Sequence, residues 1–180
     1  ANFVNAGFET GNISGWTYAV PGSGWIKVTT NCGSGFTPKG GSYFACLKTD
    51  GPGSYTTLSQ TFSAEAGDRI SGWAYFKTGD YLPYNDNAHV RIKKSGSVVA
   101  TVFFSNVAAV GNYGSTPWTE WEYAVTVSGE YTVEARVANY ADGVVDSYMG
   151  LDGVGTNAGS TSDPCCVTFQ LGESYAISGE

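Results

Sequence analysis

The chain has 180 residues, 25 of them glycine, with 14% aromatic and only 14% charged side chains, and a formal net charge of −7 from 16 acids against 9 bases. That length suits one domain with a full core, and the glycine–aromatic balance favours short strands and tight turns over helices. The acidic excess argues against nucleic acid or an anionic membrane as partner, and no stretch approaches the ~20 apolar residues of a membrane helix.

In chain order, period-two alternation predicts about ten strands, near 16–20, 25–30, 42–49, 55–62, 68–77, 89–93, 97–105, 120–127, 130–137 and 149–155. Turn signals such as Ala66-Gly67-Asp68, Ser95-Gly96 and Ser128-Gly129 separate them. The clearest strand sets Tyr131, Val133, Ala135 and Val137 on one face and Thr132, Glu134 and Arg136 on the other. Trp121, Tyr123, Val125 and Val127 repeat the inward pattern, and Val90 and Ile92 turn in between His89, Arg91 and Lys93. Trp16, Trp73 and Trp121 read as core residues. These patterns predict an all-β, two-sheet antiparallel sandwich over 1–155, followed by a linker and tail over 156–180. Val167, Phe169 and Leu171 alternate again in that tail, as an extra strand on the parent sheet or one offered to a neighbouring molecule.

Four cysteines, Cys32, Cys46, Cys165 and Cys166, predict two disulfides and an oxidising compartment. We expect a secreted protein whose signal peptide has been cleaved before the small residue Ala1. A bridge between the adjacent Cys165 and Cys166 needs a strained ring, so at least one of them is expected to reach Cys32 or Cys46. Alternation puts Cys46 on the outward face with Lys48, and such a bridge would tether the tail over the outside of the sandwich.

No nucleophile elbow, histidine-rich metal motif or phosphate-cradling loop is present, and His89, the single histidine, reads as a solvated strand residue. The expectation is a non-catalytic protein. Asp80 and Asp86, with Asp142 and Asp146, read as a polar network ordering long loops, with a second cation as the other option. Tyrosine and tryptophan faces stack on sugar rings while carboxylates and amides bond the hydroxyls. On that chemistry the best ligand-binding set is Asp80, Tyr81, Tyr84, Asn85 and Asp86. Trp25, Tyr113 and Trp118 are further loop aromatics, each equally readable as a plug over a sheet edge.

The opening run Asn5-Ala6-Gly7-Phe8-Glu9-Thr10-Gly11, then Gly15-Trp16, and the late run Leu151-Asp152-Gly153-Val154 resemble the two ends of a galactose-binding-like jelly roll. This is the carbohydrate-binding-module-like β-sandwich of secreted bacterial proteins. Residues 41–45 and 58–62 look like its early strands, and 66–73 like the next. The resemblance implies that Glu9 and Asp152 share a structural calcium ion, with Gly11 and Ser42 among the further oxygen ligands. Read from the residues alone, Glu9 could instead cap backbone amides and Asp152 bond within a turn. The implied function is a calcium-stabilised module that binds a glycan or polysaccharide in a binding or adhesion role. The alternative is a self-associating extracellular subunit of a filament or surface matrix, joined by strand donation and calcium.

Overall fold

The computed structural model describes residues 3–32 and 35–157. Ten strands form where the alternation placed them: β1 Thr17–Ala19, β2 Trp25–Thr29, β3 Phe44–Lys48, β4 Thr56–Ala64, β5 Arg69–Thr78, β6 Asn87–Lys94, β7 Ser97–Asn106, β8 Thr119–Ala124, β9 Gly129–Ala138 and β10 Ser147–Asn157. One turn of helix, α1 Val107–Val110, is capped by the Asn106 side chain, which accepts from the Ala109 amide. The strands make two antiparallel five-stranded sheets, β1-β4-β9-β6-β7 (sheet A) and β2-β3-β10-β5-β8 (sheet B). This is the two-sheet sandwich the sequence predicts.

The core lies between the sheets, where every second residue of the central strands turns inward. Leu58, Val90, Ile92, Val133, Ala135 and Val137 come from sheet A, and Ala45, Leu47, Ile70, Phe76, Met149 and Leu151 from sheet B. Trp16 and Trp121 belong to it as expected. Trp73 does not. Its neighbours Gly72 and Ala74 take the inward positions, so the indole faces outward, with the Lys39 ammonium 4.2 Å above its ring. Gly72 leaves room for Trp121: a Cβ there would stand 2.5 Å from the indole. β8 ends at Ala124, so Val127 lies beyond it and is exposed rather than inward.

A second apolar cluster covers the outer face of sheet B. Phe44, Cys46 and Tyr75 are fully buried beneath Trp25, Phe36, Trp118 and Tyr148. Phe36 stacks on Tyr75 at 3.8 Å, and Trp118 is fixed by its indole N–H to the Thr37 carbonyl. Trp25 and Trp118 are therefore plugs, as their alternative reading had it, but over the outer face of the sheet rather than its edge. Cys46 does face away from the main core, as alternation requires, but it is covered rather than exposed. It is bridged to Cys32. That pairing corrects the expected bridge from Cys32 or Cys46 to the tail, because a 14-residue separation lets the loop fold back over its own strand. Cys165, Cys166, Val167, Phe169 and Leu171 lie outside the described residues.

Candidate functional site

The outward side of sheet A carries three rows of closely set polar and charged side chains. β9 sits between β4 and β6, and the register stacks their outward residues into rows. One row reads Thr57, Arg136, His89, Phe104; the next, Ser59, Glu134, Arg91, Thr101; the third, Thr61, Thr132, Lys93, Val98. Period-two geometry makes these side chains share a face once the inward residues are committed to the core.

Glu134 is held by two cations. Its Oε1 accepts from Arg91 Nη2 at 2.6 Å and Nε at 2.9 Å, and its Oε2 pairs with Lys93 at 2.5 Å. Burial pushes its carboxyl up, but the hydrogen bonds from Lys93 and Arg91 outweigh that and hold it below the ordinary value. Arg136 has no such partner. Its guanidinium lies 3.7 Å over the Tyr55 ring, and its Nε is buried with no acceptor. Burial and the like charge of Arg91 press its pKa downward.

His89 lies between Tyr55 and Phe104, at ring separations of 6.0 and 5.0 Å. Burial first, then Arg136 and Arg91, lower its pKa to about 4. The imidazole is thus neutral at ordinary pH, and its Nδ1 is buried without a partner. This corrects the solvated reading: the residue is outward but walled in by neighbouring strands. Tyr55 donates to Asn87 Oδ1 at 2.7 Å, fixing the end of the face, and Phe104 stands 54% exposed beside His89. The result is an aromatic platform beside unsatisfied hydrogen-bonding nitrogens. Alternation already showed His89, Arg91, Lys93, Glu134 and Arg136 as outward, but not Tyr55 or Phe104. That β4, β9, β6 and β7 are neighbours was not visible.

The expected metal residues form a clamp at one end of the sandwich. Glu9 accepts the Ser42 and Tyr43 amides at 3.0 and 3.1 Å. Asp152, 2% exposed, accepts the Lys39 and Gly40 amides at 2.8 and 3.1 Å on one oxygen and Gly153 on the other. Together they hold the 39–43 turn. Gly41 takes a φ of +61°, and a Cβ there would stand on the Glu9 carboxylate, so this clamp requires glycine.

Both side chains approach Gly7, whose Cβ would lie 3.7 Å from Glu9 Cγ and 3.9 Å from Asp152 Oδ1. Burial raises the Asp152 carboxyl; the amides of Gly40, Gly153 and Lys39 oppose this, and Glu9 adds to it. Gly11 is nearby, against the Tyr43 ring, and Ser42 presents its amide to Glu9. Among the described residues no group of three or more His, Cys, Asp or Glu is arranged for a metal ion. A cation here would therefore rest on two carboxylates completed by neutral oxygens, a mixture that calcium accepts.

The Asp80–Asp86 segment divides in two. Asp80 and Asp86 are 1% and 0% exposed, so they cannot touch a surface ligand, which corrects their place in the expected binding set. Asp86 accepts from the Tyr140 amide at 2.9 Å and the Ser147 hydroxyl at 2.5 Å, and Thr78 joins Ser147 at 2.9 Å. Asp80 accepts its neighbour Tyr81's amide, while its other oxygen is buried and unpaired. This is the loop-ordering network expected for the acidic set. Asn85 caps the Ala108 amide. Tyr81 meets Tyr84 edge-on at 5.5 Å and Tyr113 at 5.8 Å, leaving an exposed tyrosine cluster at the loop surface.

No family model and no curated protein matches the chain. Solved structures do. A family 61 carbohydrate-binding module, determined in complex with β-1,4-galactotriose, superposes with TM-score 0.57 at 18% identity, over 88% of this chain and 99% of that one. The K3 cleaved adhesin domain of Lys-gingipain from Porphyromonas gingivalis gives 0.56 at 13%, over 87% and 99%. A carbohydrate-binding module of the β-sandwich superfamily, described as promiscuous in specificity, gives 0.53 at 14%, over 84% and 60%. The likeness is one of fold. It bears out, for architecture, the resemblance to carbohydrate-binding-module-like sandwiches carried by the chain's two ends.

Proposed function

We propose that this protein is a secreted, non-catalytic, carbohydrate-binding-module-like protein that takes its glycan on the outward face of sheet A. The observation that carries the reading is the pair of buried, unpartnered nitrogens, Arg136 Nε and His89 Nδ1, set between Tyr55 and Phe104. Buried polar groups are normally satisfied, and leaving one unmade costs about 1–3 kcal/mol. A sugar would lie with its C–H face on the exposed ring of Phe104, and a shift of the side chains that cover the two nitrogens would bring them to its hydroxyls. The same groups offer no nucleophile–base pair, which supports a binding rather than a catalytic role. The Cys32–Cys46 bridge supports an oxidising, extracellular setting, and no helix among the described residues is long and apolar enough to cross a membrane.

In this reading calcium binds between Glu9 and Asp152 and relieves their mutual repulsion while tying the opening segment to β10. Gly11 and the 38–43 turn supply neutral oxygens nearby. The exposed cluster of Tyr81, Tyr84 and Tyr113 is a second place where a sugar could stack. A glycan array followed by titration of Phe104→Ala and Tyr81→Ala tests the assignment. Loss of binding in Phe104→Ala alone supports the sheet face. Loss in Tyr81→Ala alone moves the site to the loops, and silence of the intact protein across the array sinks the binding reading.

A further inference from the structure

We infer that the glycan taken by this face is acidic, with a carboxylate or sulfate ester meeting the Arg136 guanidinium. The inference rests on the glycan-binding reading and deepens it. The chain as a whole carries 16 acids against 9 bases, yet the three rows at the centre of the face invert that balance, the next acid, Glu130, standing beyond them opposite Ser63. Arg91, Lys93 and Arg136 stand in the three rows against Glu134 as the single carboxylate.

Glu134 is ion-paired with Arg91 and Lys93 and reaches Arg136 only through space, so Arg136 has no ion pair of its own among the described residues. Burial and the like charge of Arg91 lower its pKa, while Tyr55 and Glu134 oppose that only in part. Tyr55 contributes a ring face at 3.7 Å, which orients the guanidinium plane but cannot neutralise it. A half-buried cation without a counter-charge is costly unless something outside the chain completes it.

A neutral sugar would leave the charge of the guanidinium uncompensated. An anion supplies the counter-charge, and the guanidinium fork matches planar carboxylates and sulfate oxygens. His89 stays neutral beside it and can bond a ring hydroxyl without adding charge. Phe104, exposed at the end of the same row, provides the stacking surface that distinguishes a sugar from a bare anion. A nucleic acid also offers anions and stacking rings, and the net charge of −7 disfavours any dense polyanion, so an oligonucleotide is set beside the acidic glycans in the test.

The test is calorimetric titration of the full chain with oligogalacturonate, its methyl ester, a sulfated galactan oligosaccharide, neutral β-1,4-galacto-oligosaccharide and a single-stranded oligonucleotide. We expect one of the two acidic glycans to bind about tenfold or more tightly than the ester and the neutral sugar, with affinity falling as salt rises. Which of the two wins tells carboxylate from sulfate. Arg136→Gln should lose about the same tenfold, the size expected for a charge-assisted hydrogen bond.

Equal binding of ester and acid overturns the inference, as does Arg136→Gln binding at full strength or a preference for the oligonucleotide. If a neutral glycan binds and only Phe104→Ala loses it, the acidic assignment fails and the glycan reading stands. If no glycan binds, both fail. Should Arg136→Gln not fold by circular dichroism, the acid-versus-ester comparison on the native chain decides alone.

Discussion

Asp86 is fully buried at the mouth of the 79–86 loop, near the carboxylates of Asp80 and Asp142, and its pKa is raised from 3.8 to about 6. Burial is the main cause; the Ser147 hydroxyl and the Tyr140 amide pull it back, and the two neighbouring acids push it further up. The folded protein therefore holds this proton more tightly than the unfolded chain does. Below about pH 4 both states are protonated and nothing is lost. As pH rises from about 4 to 6 the unfolded chain ionises first, and stability falls until both are charged. A gap of about two units at about 1.4 kcal/mol each puts the neutral-pH cost at about 3 kcal/mol.

Asp86→Asn should remove that cost without breaking the network. The amide oxygen can still accept from Tyr140, and the amide nitrogen can donate to Ser147 Oγ, whose hydroxyl then turns to Thr78 2.9 Å away. The assay is urea unfolding of both proteins from pH 4 to 7.5. His89, with its lowered pKa, loses stability in the opposite sense as pH falls through 6.5 to about 4, but it is common to both proteins and cancels in the difference. The variant should match the wild type near pH 4 and exceed it by up to about 3 kcal/mol near pH 7, on the order of 6–12 °C in Tm. Parallel curves, or a variant less stable at neutral pH, would refute the account of a buried, ionised Asp86.

Gly150→Ala should destabilise by about 1–3 kcal/mol, because its Cβ would stand on the Tyr75 ring, while Gly155→Ala, with open space around it, should change thermal unfolding by less than about 0.5 kcal/mol. Adding calcium should raise Tm and chelation lower it, with Glu9→Gln abolishing the response; a Tm indifferent to chelation removes the metal from the proposal. Mass mapping of the unreduced protein should recover a Cys32–Cys46 peptide, and Cys46→Ala should cost about 3 kcal/mol for a loop of this length, so a Cys46 peptide linked to the tail would contradict the fold described above. Because His89 remains neutral well below its ordinary titration range, glycan affinity should stay flat between pH 5.5 and 8; a step near 6.5 would mean that the imidazole is solvated after all.

The alternation of Tyr131, Val133, Ala135 and Val137 with Thr132, Glu134 and Arg136 was enough to name both the strand and its two faces. The side-chain period of a strand is local, and one buried face leaves a mark at every second residue. The same logic placed all ten strands, kept Cys46 off the main core and put His89 outward. It failed for Trp73, where a large apolar residue suggested burial but the small Gly72 and Ala74 held the inward positions against Trp121. It failed again at Cys32, because whether a loop folds back onto its own sheet depends on what covers Phe44 and Tyr75. The binding face is the clearest case of what only tertiary structure decides. Tyr55, His89, Phe104 and Arg136 are spread over more than eighty positions, and none forms a motif with another. They meet because β9 inserts between β4 and β6, and strand order is set by long-range packing that no local period encodes. The charge inversion in those rows, and the guanidinium left without an ion pair, appear only once those strands stand side by side.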